Sequence, residues 1–222
     1  MWDWIFPSLC AVCGEPTYEQ ERRVCWRCFL RLPQTLSWQA PQANEGYYRL
    51  RPHVAVAGVV SGFWYTAGSP LRKLVQLAKY RGDPLPLYAV SHAWGLLLRE
   101  ECPALSEVEA FLPVPLSAVR LRKRGYNQAS WIAKGLAQAY DKPLLERSWI
   151  RETATASQVG KHRSDRWTSL EGAFRVVGTL PSVVAVVDDV LTTGATLRAA
   201  IQSLPSEARV WVVTIGLTRR RS

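Results

Sequence analysis

The stretch that decides the fold is residues 183–196, VVAVVDDVLTTGAT. Its first five residues are apolar and mostly β-branched, which is typical of a strand buried on both faces. Two adjacent aspartates, Asp188 and Asp189, follow the run, and a segment rich in threonine and glycine comes next. This order indicates either a strand that simply stops in a polar turn, or a ligand site at the carboxyl end of a parallel strand.

The surrounding sequence alternates between strand and helix patterns. Residues 54–66 predict a strand with a bulge, or a hairpin, because Gly58 and Gly62 interrupt it. Strands are also predicted at residues 109–117, 148–152 and 208–218, and helices at residues 70–81, 85–101, 116–140 and 196–204. Alternating strands and helices predict an α/β domain with a parallel central sheet.

The 222-residue chain carries a formal net charge of +10. Residues 1–45 hold four arginines and five acids, so the positive charge belongs to the remainder. A basic surface can meet nucleic acid, an acidic membrane or phosphorylated small molecules, and the charge alone does not choose among them.

The first residues, MWDWIFPSLCAVCG, lack a basic segment followed by a sustained apolar core. We therefore expect no signal peptide. Since no segment reaches about 18 uninterrupted apolar residues, we also expect no membrane insertion. Together these features predict a cytoplasmic protein.

Four of the five cysteines form two Cys-x2-Cys pairs, which predict a structural zinc site of four thiolates. The ligands would be Cys10, Cys13, Cys25 and Cys28. Two disulfides are the alternative, and they would require an oxidising compartment. Residues 1–45 contain few aliphatic residues, so metal binding would supply much of their folding free energy. Residues 33–52 are rich in Pro, Gln and Asn and predict a linker or a loop-rich connection. We expect a zinc module at residues 1–45 and a large domain at residues 46–222.

The residue types after the predicted strand suit a phosphorylated sugar. Small residues at 192–196 would let backbone N–H groups approach a phosphate, at the start of the next helix. The two carboxylates cannot serve the phosphate, but they suit ribose hydroxyls and hydrated Mg²⁺. The pattern matches neither the Walker loop nor the dinucleotide-binding fingerprint.

The same stretch resembles the 5-phosphoribosyl-1-pyrophosphate (PRPP) signature of type I phosphoribosyltransferases. Together with the four cysteines, KYRGD (residues 79–83), PVPLSAVRLRKRGYNQA (113–129) and GAF (172–174), it resembles the ComF family over nearly the whole chain. The resemblance implies a zinc-ribbon-like module before a type I phosphoribosyltransferase-like domain, and it links the chain to DNA uptake in natural competence.

The resemblance implies roles for residues that match the family motifs. Asp188 and Asp189 match catalytic acids that meet the ribose hydroxyls of PRPP, with Mg²⁺ as the accompanying cofactor. The loop that binds the 5′-phosphate would comprise Thr192, Thr193, Gly194, Ala195 and Thr196.

Two further segments are candidate contacts. The region after the 109–117 strand offers pyrophosphate or nucleic-acid contacts, or a solvated helix start, through Ser117, Arg120, Arg122, Lys123 and Arg124. The basic stretch at 151–174 resembles a loop that closes over PRPP, or is a solvated loop; its candidate residues are Arg151, Gln158, Arg163 and Arg166. One position departs from the family pattern, with Ser169 where asparagine is expected.

Two functions follow, and they belong to different classes. The first is a PRPP-binding phosphoribosyltransferase with an acceptor that no sequence feature identifies. The alternative is a non-catalytic accessory protein that binds single-stranded DNA, uses the PRPP site as a sensor and works with proteins of the competence machinery. Its basic charge and ten tryptophans permit backbone contacts and base stacking.

Overall fold

The structure is a computed structural model, and it describes residues 8–17, 23–152 and 173–219. Its centre is a four-stranded sheet of β1 (Gly58–Trp64), β2 (Ala110–Pro113), β5 (Val183–Leu191) and β6 (Arg209–Leu217). The strand order is β1-β6-β5-β2, and all three pairings are parallel. The predicted α/β class with a parallel central sheet is confirmed.

Helices cover both faces of this sheet. Before the sheet come α1 (Trp26–Leu30), a short 3₁₀ helix (Ser37–Gln39) and α2 (Glu45–Leu50). Between β1 and β2 lie α3 (Pro70–Tyr80), α4 (Leu85–Glu101) and a second 3₁₀ helix (Pro103–Glu107). Later elements are α5 (Ala118–Arg124), α6 (Gln128–Tyr140), the antiparallel pair β3 (Trp149–Arg151) and β4 (Phe174–Val176), and α7 (Ala195–Ile201).

The strand β5 explains why the sheet needs cover on both sides. Ala185 and Val187 pack into a cluster with α3, α4 and α6, whereas Val184 and Val186 pack into a second cluster with α2, α7 and the β3–β4 pair. All four side chains are fully buried. A strand buried on both faces reads as a continuous apolar run, which is the pattern found in the sequence.

Two sequence expectations need correction. First, β1 carries no bulge, because its residues keep one constant register against β6 from Gly58↔Trp211 to Trp64↔Leu217. Gly62 serves packing instead, since a Cβ there would lie 3.3 Å from the Trp94 ring. Second, the predicted helix at 116–140 is two helices, separated by Gly125 in the left-handed conformation (φ +81°).

The predicted linker at 33–52 is packed structure rather than a loose connection. Asn44 caps α2 by accepting a hydrogen bond from the Tyr47 N–H, and its amide donates to the Val59 carbonyl of β1 at 2.8 Å. Leu50 is fully buried in the second cluster. A capping residue and one buried anchor therefore attach this segment to the sheet despite its loop-like composition.

The four-cysteine segment shares its hydrophobic core with the large domain. Cys10, Val24, Cys28 and Phe29 belong to the same buried cluster as Phe63 of β1. The division at residue 45 stays a prediction. Within the described ranges, no helix combines the length and apolar character that crossing a membrane requires.

Candidate functional site

The carboxyl end of β5 presents the two aspartates on a rigid support. Asp188 and Asp189 are half-buried and follow directly after the buried valines. The Asp188 carboxylate accepts a hydrogen bond from the Asp189 N–H at 2.8 Å, and the Asp189 carboxylate accepts one from the Val190 N–H at 2.7 Å. These local bonds limit the rotation of both side chains, so the strand determines where the carboxylates lie.

A cavity of about 330 Å³ opens at this end of the sheet. Its volume lies in the range of small-molecule sites. Besides the aspartates, its lining comes from β5 itself, from segments after β1 and β2, from α3, α5, α6 and β3, and from α7 and the loop before it. These residues are Tyr65, Lys79, Val114, Pro115, Leu116, Arg120, Arg124, Asn127, Gln128, Ala129, Arg151, Val190, Thr192 and Thr196. Segments far apart in the sequence thus meet at one sheet edge, as expected for a parallel α/β sheet.

Four cations among the described residues surround the two carboxylates. Lys79 Nζ lies 2.5 Å from Asp189 Oδ2, with both side chains mostly buried. Arg151 packs its guanidinium over the Phe174 ring at 5.1 Å, and burial, followed by the nearby Arg120 charge, lowers the pKa of Arg151. Arg120 and Arg124 are the other two cations, and both line the cavity. The excess of positive charge suits an anionic ligand.

The predicted phosphate loop begins where β5 ends. Gly194 adopts the left-handed conformation (φ +79°), and α7 starts at the next residue. The Thr193 hydroxyl accepts a hydrogen bond from the Ala195 N–H at 3.4 Å. Thr192 and Thr196 line the cavity, whereas Thr193, Gly194 and Ala195 are not among its lining residues and shape the turn between them.

The structure separates the predicted cations of α5 into two groups. Arg120 and Arg124 line the cavity, while Arg122 and Lys123 are exposed outside it. Ser117 caps the helix, accepting a hydrogen bond from the Arg120 N–H at 3.5 Å, and does not line the cavity. Of the predicted closing loop, Arg151 lies in the site, and Gln158, Arg163 and Arg166 fall outside the described residues.

Three cavity residues were assigned no role from the sequence. Tyr65 follows β1, and Asn127 caps α6 while its amide donates to the Val114 carbonyl at 2.9 Å. Gln128 is almost fully buried, accepts from Arg124 at 2.9 Å and donates to the Ala78 carbonyl. The Asn127–Gln128 pair therefore joins the start of α6 to the segment after β2, to α5 and to α3. Both residues belong to the motif RGYNQ, but the sequence alone could not show which elements they would contact.

The four cysteines of the N-terminal segment converge on one point. Their sulfur atoms all lie within 4.8 Å of one another, and Cys13 Sγ lies 3.8 Å from Cys25 Sγ. Sulfur ligands at about 2.3 Å from a tetrahedral ion would be separated by a similar distance. All four are free thiols, so the cluster could hold a metal ion, as the paired spacing predicts.

The protein environment already favours a thiolate in this cluster. Burial raises the pKa of Cys10, but N–H groups of Cys13 and Cys25 outweigh burial and lower that pKa to about 6. Burial and the neighbouring sulfurs raise the pKa of Cys28. A set of four thiols cannot all ionise without a cation between them, which fits a metal site.

Asp188 provides a test of the electrostatics of the cavity. Burial raises the pKa of Asp188 from an ordinary value of 3.8 to about 7, the Asp189 charge adds to the shift, and Lys79 and Arg151 partly offset it. The folded protein therefore binds this proton more tightly than the unfolded chain. Between about pH 4 and pH 7, Asp188 loses its proton in the unfolded chain but keeps it in the folded protein. The free energy of unfolding therefore falls progressively as pH rises through this range.

We expect Asp188→Asn to remove this cost. In metal-free buffer the variant should unfold at a higher temperature than the wild type at pH 8, by roughly 2–4 °C per kcal/mol recovered. The gain should disappear near pH 4, where Asp188 is protonated. The matched variant Asp189→Asn removes a repulsive neighbour of Asp188 but also loses the ion pair with Lys79, so its gain should be smaller than that of Asp188→Asn. A stabilisation by Asp188→Asn that is independent of pH would contradict this account.

Comparisons with known proteins found similar competence proteins. No family model matches the chain. It is 37% identical to competence protein F of Haemophilus influenzae over 119 residues, which cover 50% of each chain. It is 28% identical to the competence protein ComFC of Streptococcus pneumoniae (70% of this chain, 66% of the relative) and to that of Bacillus subtilis (88% and 71%).

The matched part thus spans only half the length of the Haemophilus relative. Among solved structures, orotate phosphoribosyltransferase from Aeropyrum pernix covers 75% of this chain and 78% of its own, at 23% identity and a TM-score of 0.34. That likeness is too slight to transfer a role. The chain is thus similar to three competence proteins, two of them named ComFC, and its four cysteines lie close enough together to hold a metal ion.

Proposed function

We propose that this chain is a PRPP-binding protein of the phosphoribosyltransferase family and that it serves natural competence. The observation that carries the proposal is the single cavity in which Asp188 and Asp189 meet Thr192, Thr196 and the cations. PRPP has three chemically distinct parts: a 5′-phosphate, a ribose diol and a pyrophosphate. The cavity offers a matching group for each of them.

The carboxylates and the loop suit the sugar phosphate. Carboxylates accept hydrogen bonds from the two ribose hydroxyls, and a threonine-rich turn with a left-handed glycine brings N–H and hydroxyl donors to a phosphate. Arg120, Arg124 and Arg151 suit the pyrophosphate, since guanidinium groups bind phosphate oxygens in pairs. Mg²⁺ fits this site because carboxylate and pyrophosphate oxygens are its preferred ligands, and it would supply further neutralisation of the pyrophosphate.

Transfer would break the bond between the ribose C1 and pyrophosphate and form a bond from C1 to an acceptor nitrogen. The arginines would stabilise the charge that gathers on the leaving pyrophosphate, and the acids would hold the ribose in place. The acceptor is the unassigned part of this reaction. Screening nucleobases for pyrophosphate release from PRPP tests whether transfer occurs.

PRPP binding is the first test. We expect the wild type to bind PRPP in the presence of Mg²⁺ by calorimetry, and Asp188→Asn/Asp189→Asn to lose about 10- to 100-fold in affinity with the lost charge-assisted hydrogen bonds. The control is Glu109→Gln, an exposed acid before β2 at the opposite end of the sheet. A wild type that does not bind PRPP, or an equal loss in the control, would refute the site assignment.

A second candidate function rests on α5. This helix buries none of its residues, and Arg122 and Lys123 project outside the cavity beside exposed Val119 and Leu121. Such a surface suits the phosphate backbone of single-stranded DNA. We keep this candidate as an addition to PRPP binding, and we propose proteins of the competence machinery as further partners, because the similar proteins are named competence proteins.

Two arginines of one helix separate these functions. We expect Arg120→Ala, at the cavity, to weaken pyrophosphate binding about tenfold or more, since it removes charge-assisted hydrogen bonds. We expect Arg122→Ala, outside it, to leave pyrophosphate binding unchanged but to weaken binding of a fluorescent oligothymidine and to reduce its salt dependence by about one phosphate contact. Both changes remove one positive charge, so net charge is matched. Equal effects of the two variants on both ligands would contradict the separation.

We further propose that the ion held by the four cysteines is zinc and that it is structural. Four sulfur ligands leave no open position for catalysis. Thiolate sites of this kind persist in reducing compartments, which is consistent with a proposed cytoplasmic location.

Metal analysis tests the zinc assignment. Purified protein should contain about one zinc per chain. Cys13→Ser should abolish zinc binding and lower the unfolding temperature, because the exposed Cys13 is one of four ligands. Cys102→Ser is the matched control, since this buried cysteine lies outside the cluster and should leave the zinc content unchanged. A folded wild type without metal would refute the assignment.

A further inference from the structure

Arg49 is a buried cation that sequence reasoning did not single out. It lies on α2, and its side chain is only 8% exposed. The Glu45 carboxylate, one turn earlier, lies 2.5 Å from Nη2 and balances the charge. Because Arg49 does not line the cavity, any effect on a ligand must pass through other residues.

The remaining donors of Arg49 point at the backbone where two central strands end. Nη1 donates to the carbonyls of Leu191, at 3.2 Å, and of Thr192. The same guanidinium donates to the hydroxyl of Thr218 at 3.1 Å and to its carbonyl at 2.8 Å. Arg49 therefore joins the last residue of β5 and the first residue of the phosphate loop to the segment after β6.

The neighbouring residue of α2 supports the same loop by packing. Leu50 is fully buried, and its Cδ2 would lie 2.7 Å from a Cβ built on Gly194. Together with its left-handed φ of +79°, this close approach explains why position 194 holds glycine. Helix α2 thus packs against residues 192–194 and supports them from one side.

The bonds to the two carbonyls also determine where backbone N–H groups point. In a planar trans peptide, the carbonyl of one residue and the N–H of the next lie on opposite sides of the chain. When the carbonyls of Leu191 and Thr192 are directed at Arg49, the N–H groups of Thr192 and Thr193 are directed away from it.

We propose that Arg49 is a positioning residue of the 5′-phosphate loop. It holds the loop in the conformation that presents N–H donors to phosphate, without contacting the donor molecule itself. The inference rests on the proposed function, since it assigns the 5′-phosphate to this loop. If Arg49 only stabilised the fold, its loss would weaken the binding of both ends of PRPP equally.

The test measures the two ends of PRPP separately. Calorimetry with ribose 5-phosphate reports on the loop, and calorimetry with pyrophosphate and Mg²⁺ reports on the cations near α5. We expect Arg49→Met to weaken ribose 5-phosphate binding about 10- to 100-fold, the equivalent of losing hydrogen bonds to a charged group, and to leave pyrophosphate binding within about twofold. Arg49→Lys should recover part of the loss, because an ammonium can keep Glu45 and one carbonyl but not the whole fork.

The matched control is Arg51→Met. Arg51 ends the same helix, is exposed, and stacks on Tyr47 and Tyr48 at 6.0 and 5.9 Å. The Arg51→Met variant should bind both ligands as the wild type does. Equal weakening of both ligands by Arg49→Met, or no weakening of either, would overturn the positioning role.

Hydrogen exchange of the ligand-free protein provides an independent measurement. In Arg49→Met two amides bonded around the loop should exchange faster: Ala195, which donates to the Thr193 hydroxyl, and Thr218, which donates to the Leu191 carbonyl. The amides of Val184–Val187 in β5 should keep their protection. A parallel loss in β5 would indicate a structural role instead. If the wild type bound no ribose 5-phosphate, the proposed function would fail while this exchange result still decided whether Arg49 holds the loop. If Arg49→Met did not fold, Arg49→Lys would carry both measurements.

Discussion

The rest of the structure depends on the burial of β5 on both faces. Val184 and Val186 pack into one core, and Ala185 and Val187 pack into the other, so a shift of one residue would exchange the two sets. The hydrogen bonds to β2 and β6 hold the same register from both sides. As a result, the register of the strand determines where Asp188 and Asp189 lie at its end. A pair of half-buried carboxylates needs this rigidity, because their burial is tolerated only where cations and N–H groups are in reach.

The cations come from elements that the sheet brings together, and Lys79 is the most direct of them. It lies in the last turn of α3 and pairs with Asp189. The four-cysteine segment contacts the same helix and the turn after it: Lys73 donates to the Val12 carbonyl at 2.8 Å, and Arg23 pairs with Asp83 at 2.5 Å. The four-cysteine segment therefore packs against the helix that carries Lys79 to the cavity, and contacts join the two predicted modules. Their shared hydrophobic core has the same effect.

Much of the fold could be predicted because its strongest signals are local. The helix Pro70–Tyr80 begins after the capping Ser69 and buries the apolar stripe of Leu71, Leu74, Val75 and Ala78, as periodicity indicates. The cysteine pairs predicted a cluster, and the cluster forms. The packing of residues 33–52 could not be predicted, because Asn44 and Leu50 act through contacts with β1 and Gly194, and such contacts leave no periodic trace in the sequence.

By itself, the sequence determined the buried strand, the acids at its end and the glycine-threonine turn, because each depends on residue types adjacent in the chain. It also determined the four-cysteine cluster, since paired spacing restricts the geometry of each knuckle. Only the tertiary structure decided which cations share the cavity: Arg120 lies within it and Arg122 outside, although they are two residues apart on one helix. It alone placed Arg49 against the turn that begins at Thr192, because that contact joins residues 143 positions apart, and only folding brings such residues together.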